Sequence, residues 1–274
     1  MIDMHRLQQR LPGLREAYRQ ARPFAHVIVD DFCSESALRQ VSAAFPSIGD
    51  PHWIHYFHYN EKKHGLNKLD ALPQPARALI EEMHSPDFVG FLSDLTGFDA
   101  LKCDPDLEGG GLHQSERGGF LRIHADFLSH PHRPAWQRRL NVLLYLNESW
   151  DPAYGGDLEF WTEDMSSCQV KISPVFNRCV IFHTHATSFH GHPEPLACPA
   201  ERTRKSIALY YYTEGVAGSV RPTSYRARPS ERSKRFLIRM DNLALRSYHQ
   251  IKRRFGIRDG VVSKVLGRLF QNKK

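Results

Sequence analysis

The segment FLRIHADFLS, residues 120–129, decides how the chain is read. Leu121, Ile123 and Phe127 suit a strand packed on a core, yet His124 and Asp126 sit among them, two residues apart. Side chains at i and i+2 of a strand point to the same face. An imidazole and a carboxylate therefore share one face of an otherwise apolar segment. A hydrogen-bonded pair inside a core and a pair on a solvated face are the two plain readings; two ligands of a metal are the third. The metal reading needs a further ligand from elsewhere and a β core to hold it.

Composition sets the frame. The 274 residues are 41% hydrophobic and 11% aromatic, which describes a folded chain with a sizeable core. No apolar run approaches the roughly 20 residues that span a bilayer. The opening MIDMHRLQQRLPGLREAYRQ lacks the apolar centre of a signal peptide. Cys33, Cys103, Cys168, Cys179 and Cys198 are odd in number and form no CxxC pair, so a reducing cytoplasm is expected. The net charge of +7 is uneven. Residues 221–274 hold 16 Lys or Arg against Glu231, Asp241 and Asp259, whereas residues 1–220 hold 21 bases against 27 acids. A body near −6 thus carries a tail near +13, and only the tail calls for an anionic partner, a membrane surface or a nucleic acid.

HVIVDDF (26–32) reads as a strand, followed by a helix after Ser34 that Pro46 stops. Further helices are expected over 74–84 and over 86–95, the latter with Pro86 in its first turn and Gly97 past its end. Beyond about residue 100 the texture becomes strand and turn. The candidate strands are 119–127, 139–146, 157–161, 168–173, 178–183 and 205–213, separated by Gly- and Pro-rich turns. Short strands punctuated in this way predict a sandwich or jelly-roll barrel. From residue 230 helical patterns return, with an apolar stripe at Val261, Val262, Val265, Leu266, Leu269 and Phe270. The expected architecture is mainly β: N-terminal supporting helices, a β core over about 100–215 closing a domain at about 220, and a basic helical extension over 221–274.

A partner for His124 and Asp126 belongs on a later strand, where FHTHATSFHGHPEPL supplies His183, His185, His190 and His192. Two imidazoles and a carboxylate on one face of an iron, with other positions open, are the donor set of non-haem Fe(II) oxygenases. In RKSIALYYYT, Arg204 and Ser206 are again i and i+2, and a guanidinium beside a hydroxyl suits a carboxylate, which it grips bidentately.

These blocks together, GGFLRIHADF, RRLNVLLYLNESWDPAYGGDLEFW, ISPVFNRCVIFHT, SFHGHPEPL and RKSIALYYYT, resemble the prolyl-4-hydroxylase-like Fe(II)/2-oxoglutarate dioxygenases. The resemblance runs from about Gly110 to Thr213, with weaker similarity back to His26. It implies a double-stranded β-helix, or jelly roll, using Fe(II), 2-oxoglutarate and O2. It implies His124, Asp126 and His190 as catalytic iron ligands, Arg204 as the partner of the distal 2-oxoglutarate carboxylate, and Ser206 and Tyr145 as supporting contacts. A carboxylate at Asp126, where halogenating relatives carry a small residue, implies hydroxylation. Two points depart from the pattern. His113 and Gln114 stand where many members have a Tyr, and the long interval from His190 to Arg204 keeps Arg202 open as the anion-binding residue. The implied acceptor is a prolyl or other amino-acid group in a peptide or small molecule. A sugar or lipid acceptor, or a polyanion-binding protein with a structural β core, are the alternatives. The segments 52–67 and 129–138, which mix aromatics and bases, are the candidate acceptor loops.

Overall fold

In the computed structural model, residues 1–216 and 223–255 are described. The N-terminal part runs α1 (Met4–Gln20), β1 (His26–Val29), α2 (Glu35–Ala43), β2 (Ile54–His58), β3 (Glu61–Leu66), α3 (Gln74–Met83) and α4 (Pro86–Thr96). Strands follow: β4 (Lys102–Cys103), β5 (Gly111–Ser115), β6 (Phe120–Ala125), β7 (Trp136–Tyr145), β8 (Leu158–Trp161) and β9 (Cys168–Ile172). The chain continues through β10 (Cys179–His183), β11 (His190–His192), β12 (Arg204–Glu214), β13 (Ser224–Tyr225) and α5 (Arg235–Phe255). The strands join in one curled sheet of order β1-β10-β7-β12-β5-β3-β6-β11-β8-β9, with β2 on β3, β4 on β12 and β13 on β6. The result is a jelly-roll-like half-barrel, with helices before it and one after.

Period-2 alternation decides what faces what. On β7, Leu140, Val142 and Leu144 pack in the main core with Cys179 and Ile181 of β10 and Ile207, Leu209 and Tyr211 of β12. Against that face lie Leu7 and Leu14 of α1, Leu79 and Met83 of α3, and Phe88, Phe91 and Leu95 of α4. The alternate residues look into the barrel. Leu143, Tyr145, Val180 and Phe182 pack there against Leu158 and Phe160 of β8, and the same side of β12 carries Arg204 and Ser206. The helices thus cover one face of the main sheet, and the other lines a cavity that is apolar at one end and polar at the other.

The expected helices at 74–84 and 86–95 form nearly as read. Ser85 caps α4 by accepting the Phe88 N–H at 3.3 Å, and Gly97, at φ +78°, ends it. Ser34 occupies the N-cap of α2 but makes no cap bond; its hydroxyl meets Ser36. Residues 52–67 are not a loop. They form the β2–β3 hairpin, whose Gly65 and Glu61 pair with β5 and β6. In 129–138, His130 is fully buried with Nε2 3.1 Å from Asp104, and Trp136 already begins β7, so most of that segment is structural. α5 begins within the expected basic extension; the stripe at 261–270 lies outside the described residues.

Candidate metal centre and anion pocket

His124 stands near the end of β6, and its backbone pairs with that of His190 at the start of β11. Asp126 follows β6 directly. One ligand atom from each of the three lies within 4.8 Å of the others, and all three residues are buried or half-buried. Nε2 of His124 is 3.4 Å from Asp126 Oδ1, and Nε2 of His190 is 3.4 Å from Asp126 Oδ2. Among the described residues no other group of three metal-ligating side chains converges in this way.

Each part of the cluster is oriented from behind. His124 donates Nδ1–H to Arg122 O (2.9 Å) and His190 donates Nδ1–H to Ser188 O (2.8 Å). A carbonyl can only accept, so both Nε2 atoms are left as lone pairs aimed at the shared centre. Asp126 Oδ2 accepts Arg138 Nη2 (2.9 Å) and Asn141 Nδ2 (2.8 Å). Asn141 cannot turn over, because its Oδ1 is already taken by Arg138 Nε (2.8 Å) and Thr184 Oγ1 (3.1 Å). Burial would raise the Asp126 pKa, but Arg138 and the two imidazoles hold it well below the usual carboxylate range. Burial likewise pushes His190 down to about 4, keeping it neutral. Two imidazoles that turn Nε2 to the centre and one ionised carboxylate fit a divalent iron without rearrangement. Arg138 and Asn141 escaped the sequence reading; the signal was a polar Asn inside the apolar run LNVLLYL, where a buried amide needs partners.

The second feature is Arg204 at the head of β12. It is 7% exposed, yet no carboxylate pairs with it among the described residues. Nε donates to Gly156 O (2.8 Å), Nη2 lies 3.4 Å from Tyr145 Oη, and the guanidinium is 5.0 Å from the Tyr145 ring. Ser206 is opposite Tyr145 on one side and His113 on the other. His113 therefore shares the inward face, while Gln114 bonds Thr203 Oγ1 (2.7 Å). Burial, with Lys63 next, drives the His113 pKa down to about 3. Arg202, the alternative, is tied to the carbonyls of Glu148 (3.2 Å) and Ser149 (3.0 Å). The turn DPAYGGD, residues 151–157, serves Arg204: Gly156 has φ +82°, and a Cβ there would stand 3.0 Å from Arg204 Cδ and 2.6 Å from Leu196 Cδ2.

The other histidines lie apart. The rings of His183 and His185 meet edge-on, and they pack against Phe98 and Phe24 respectively. The β2–β3 hairpin adds Glu61 and Lys63 to the cavity side, 3.4 Å apart. His58 bridges Glu61 Oε1 and Asp241 Oδ2 of α5, each at 2.8 Å. Burial opposes its charge, but the two carboxylates prevail and raise its pKa to about 9. Tyr225 of β13 faces the centre, its ring 5.5 Å from that of His124, and Asn242 holds its main chain through N (3.1 Å) and O (3.0 Å). A groove of about 810 Å³ between α5 and the β8–β9 turn touches Tyr225 but contains none of the three clustered ligands.

Residues 110–212 match the family model described as the 2OG-Fe(II) oxygenase superfamily. The family uses Fe(II), 2-oxoglutarate and O2, and the His124–Asp126–His190 cluster presents the donors such an iron takes. Among curated proteins, the chain is 26% identical over 222 residues to prolyl 3-hydroxylase OGFOD1 of Mus musculus, covering 77% of this chain and 36% of that one. It is 25% identical over 235 residues to prolyl 3,4-dihydroxylase OGFOD1 of Ostreococcus tauri, covering 78% and 42%. The chain thus spans about two fifths of the length of these relatives or less. Among solved structures, a prolyl hydroxylase from Trichoplax adhaerens, in complex with a hypoxia inducible factor peptide fragment, shares the fold. The TM-score is 0.53 at 18% identity, over 76% of this chain and 92% of that one.

Proposed function

We propose that the protein is an Fe(II)- and 2-oxoglutarate-dependent hydroxylase acting on a prolyl residue of a peptide. The observation that carries this reading is the pairing, across one barrel interior, of a preoriented His–Asp–His cluster with a buried guanidinium that has no counter-ion among the described residues. A buried cation without a carboxylate is costly unless a ligand supplies the anion. 2-Oxoglutarate offers a carboxylate for Arg204 and chelating oxygens for a metal. On this reading His124, Asp126 and His190 hold the iron, Arg204 fixes the distal carboxylate, and Tyr145 and Ser206 support that end. Iron in this site would couple oxidative decarboxylation of 2-oxoglutarate by O2 to insertion of one oxygen atom into an acceptor C–H, giving succinate and CO2. The chain's own residues position and shield. Arg138 and Asn141 keep Asp126 ionised and aimed, and Leu143, Phe160 and Phe182 wall off one end of the cavity. The prolyl acceptor is inferred from the named activities of the relatives.

The basic C-terminal region is read as the contact for an anionic partner. Phe236, Leu237, Met240 and Leu243 of α5 are exposed, with Arg235 and Arg239 on the same helix. Apolar and basic faces side by side favour an anionic surface. Five unpaired cysteines support a reducing, cytoplasmic setting; no described helix is long and apolar enough to cross a membrane. The decisive assay is Fe(II)-dependent conversion of 2-oxoglutarate to succinate with proline-containing peptides, read also as a mass gain of one oxygen. Turnover that survives His124→Ala defeats the reading.

A further inference from the structure

Three histidines line the interior along β6 and β11, and they are treated unequally. His124 and His190 each donate Nδ1–H to a main-chain carbonyl. His192 lies two residues beyond His190 on β11, across a register shift against β6, and is only 5% exposed. Its Nδ1 is sealed from solvent and has no hydrogen-bond partner. It is also not one of the side chains that converge on the metal centre. More than nine in ten buried polar groups in folded proteins are satisfied, so a buried ring nitrogen without a partner among the described residues calls for one. Burial first, and then the charges of Arg204 and Lys63, push the His192 pKa well down. Arg204 spends Nε on Gly156 O and turns Nη2 towards Tyr145, and no carboxylate among the described residues meets it.

We propose that His192 is a second contact of the cosubstrate, donating a ring N–H to 2-oxoglutarate carboxylate oxygen held by Arg204. This rests on the function proposed above. It makes the anion pocket two-sided: a guanidinium from β12 and an imidazole from β11 close on one carboxylate. The imidazole adds direction without adding a third cation to Arg204 and Lys63. The strand that delivers His190 to the metal thereby also touches the cosubstrate.

The test is direct binding of 2-oxoglutarate to the full chain loaded with Mn(II), followed by calorimetry without O2 or turnover. His192→Leu should weaken 2-oxoglutarate binding about tenfold, the effect of one hydrogen bond to a charged group. Mn(II) content should stay at the wild-type level, and His192→Gln should recover part of the affinity. Without ligand, His192→Leu should melt no lower than wild type, because the group removed has no partner in the protein. Unchanged 2-oxoglutarate affinity in both variants overturns the inference. So does loss of Mn(II) in both, which would make His192 a support for His190 instead. If His192→Leu does not fold, His192→Gln decides alone, by weaker binding or by none of the expected change. Failure of the underlying function looks different: wild type would then bind Mn(II) and show no heat with 2-oxoglutarate.

Discussion

Replacing Arg204 by Met keeps most of the buried aliphatic stem and removes the charge. Two consequences of opposite sign follow. Without ligand, the protein loses two bonds, Nε to Gly156 O and the long Nη2 to Tyr145 Oη, worth about 1–2 kcal/mol together, and also sheds a buried cation that no carboxylate pairs with among the described residues. The melting temperature should therefore move by only a few degrees, since about 1 kcal/mol shifts a chain of this size by about 2–4 °C. With ligand the loss should be large. A hydrogen bond to a charged group contributes about 1.5–3 kcal/mol, so the 2-oxoglutarate Kd should rise about tenfold to hundredfold. At a concentration of about 100 times the wild-type Kd, wild type gains about 2.7 kcal/mol of stability, while a variant weakened hundredfold gains about 0.4. Thermal unfolding of metal-loaded protein with and without 2-oxoglutarate reads both numbers in one experiment. The reasoning fails if Arg204→Met keeps the full ligand-induced shift while Arg202→Met abolishes it, because Arg202 is anchored on the carbonyls of Glu148 and Ser149.

Three further outcomes are expected. Metal content, measured by elemental analysis, should fall towards zero in His124→Ala, Asp126→Ala and His190→Ala, and persist in His183→Ala and His185→Ala, whose rings pack elsewhere. Gly156→Ala should weaken 2-oxoglutarate binding without touching the ligand, because its Cβ would crowd Arg204 Cδ at 3.0 Å and Leu196 Cδ2 at 2.6 Å, from a backbone at φ +82°; calorimetry checks it. His58 has a folded pKa of about 9, above its ordinary 6.5, so its pairs with Glu61 and Asp241 stabilise fully below pH 6.5 and fade as pH rises through about 9. The melting-temperature gap between wild type and His58→Gln should accordingly be widest near pH 6.5 and close above pH 9.

What the sequence displayed was alternation. LNVLLYL and RKSIALYYYT carry a period of two, and the fold uses it directly: Leu140, Val142 and Leu144 turn to the helices, and Tyr145 and Arg204 turn inward. The same rule made His124 and Asp126 neighbours. It could not find residues that act across strands. Arg138 is twelve residues from Asp126 and bonds it only because β7 folds back beside the end of β6. α1 was missed because Pro12 and Gly13 interrupt it. Its buried face, Leu7, Leu14 and Tyr18, is a sparse stripe that becomes legible only against α4. The β2–β3 hairpin was passed over because Glu61, Lys63 and His64 read as solvated loop chemistry. They are buried or half-buried, held by an ion pair and by His55 to His64 at 2.8 Å.

The charge step near residue 221 is a different kind of signal from a packing boundary. Summed charge reports what a surface attracts at distance, and it is indifferent to which individual side chains reach inward. Of the three acids in the last 54 residues, two are spent on the body: Glu231 on Arg122, and Asp241 on His58 and on Asn60 Nδ2 at 2.6 Å. Those are buried or half-buried contacts, and they hold the segment that presents Tyr225 to His124. The described bases Arg226, Arg232, Lys234, Arg235 and Arg239 are exposed, which is why the region looks like an appendage when charges are counted. Truncation after Val216 should therefore damage the site itself: it strips the cover from His124, leaves Arg122 buried without Glu231, and takes Asp241 away from His58. Metal binding in such a truncation should weaken together with its melting temperature. A truncated protein that melts like wild type and keeps its metal would show that the acidic contacts are incidental and that the tail serves only its outer, basic face.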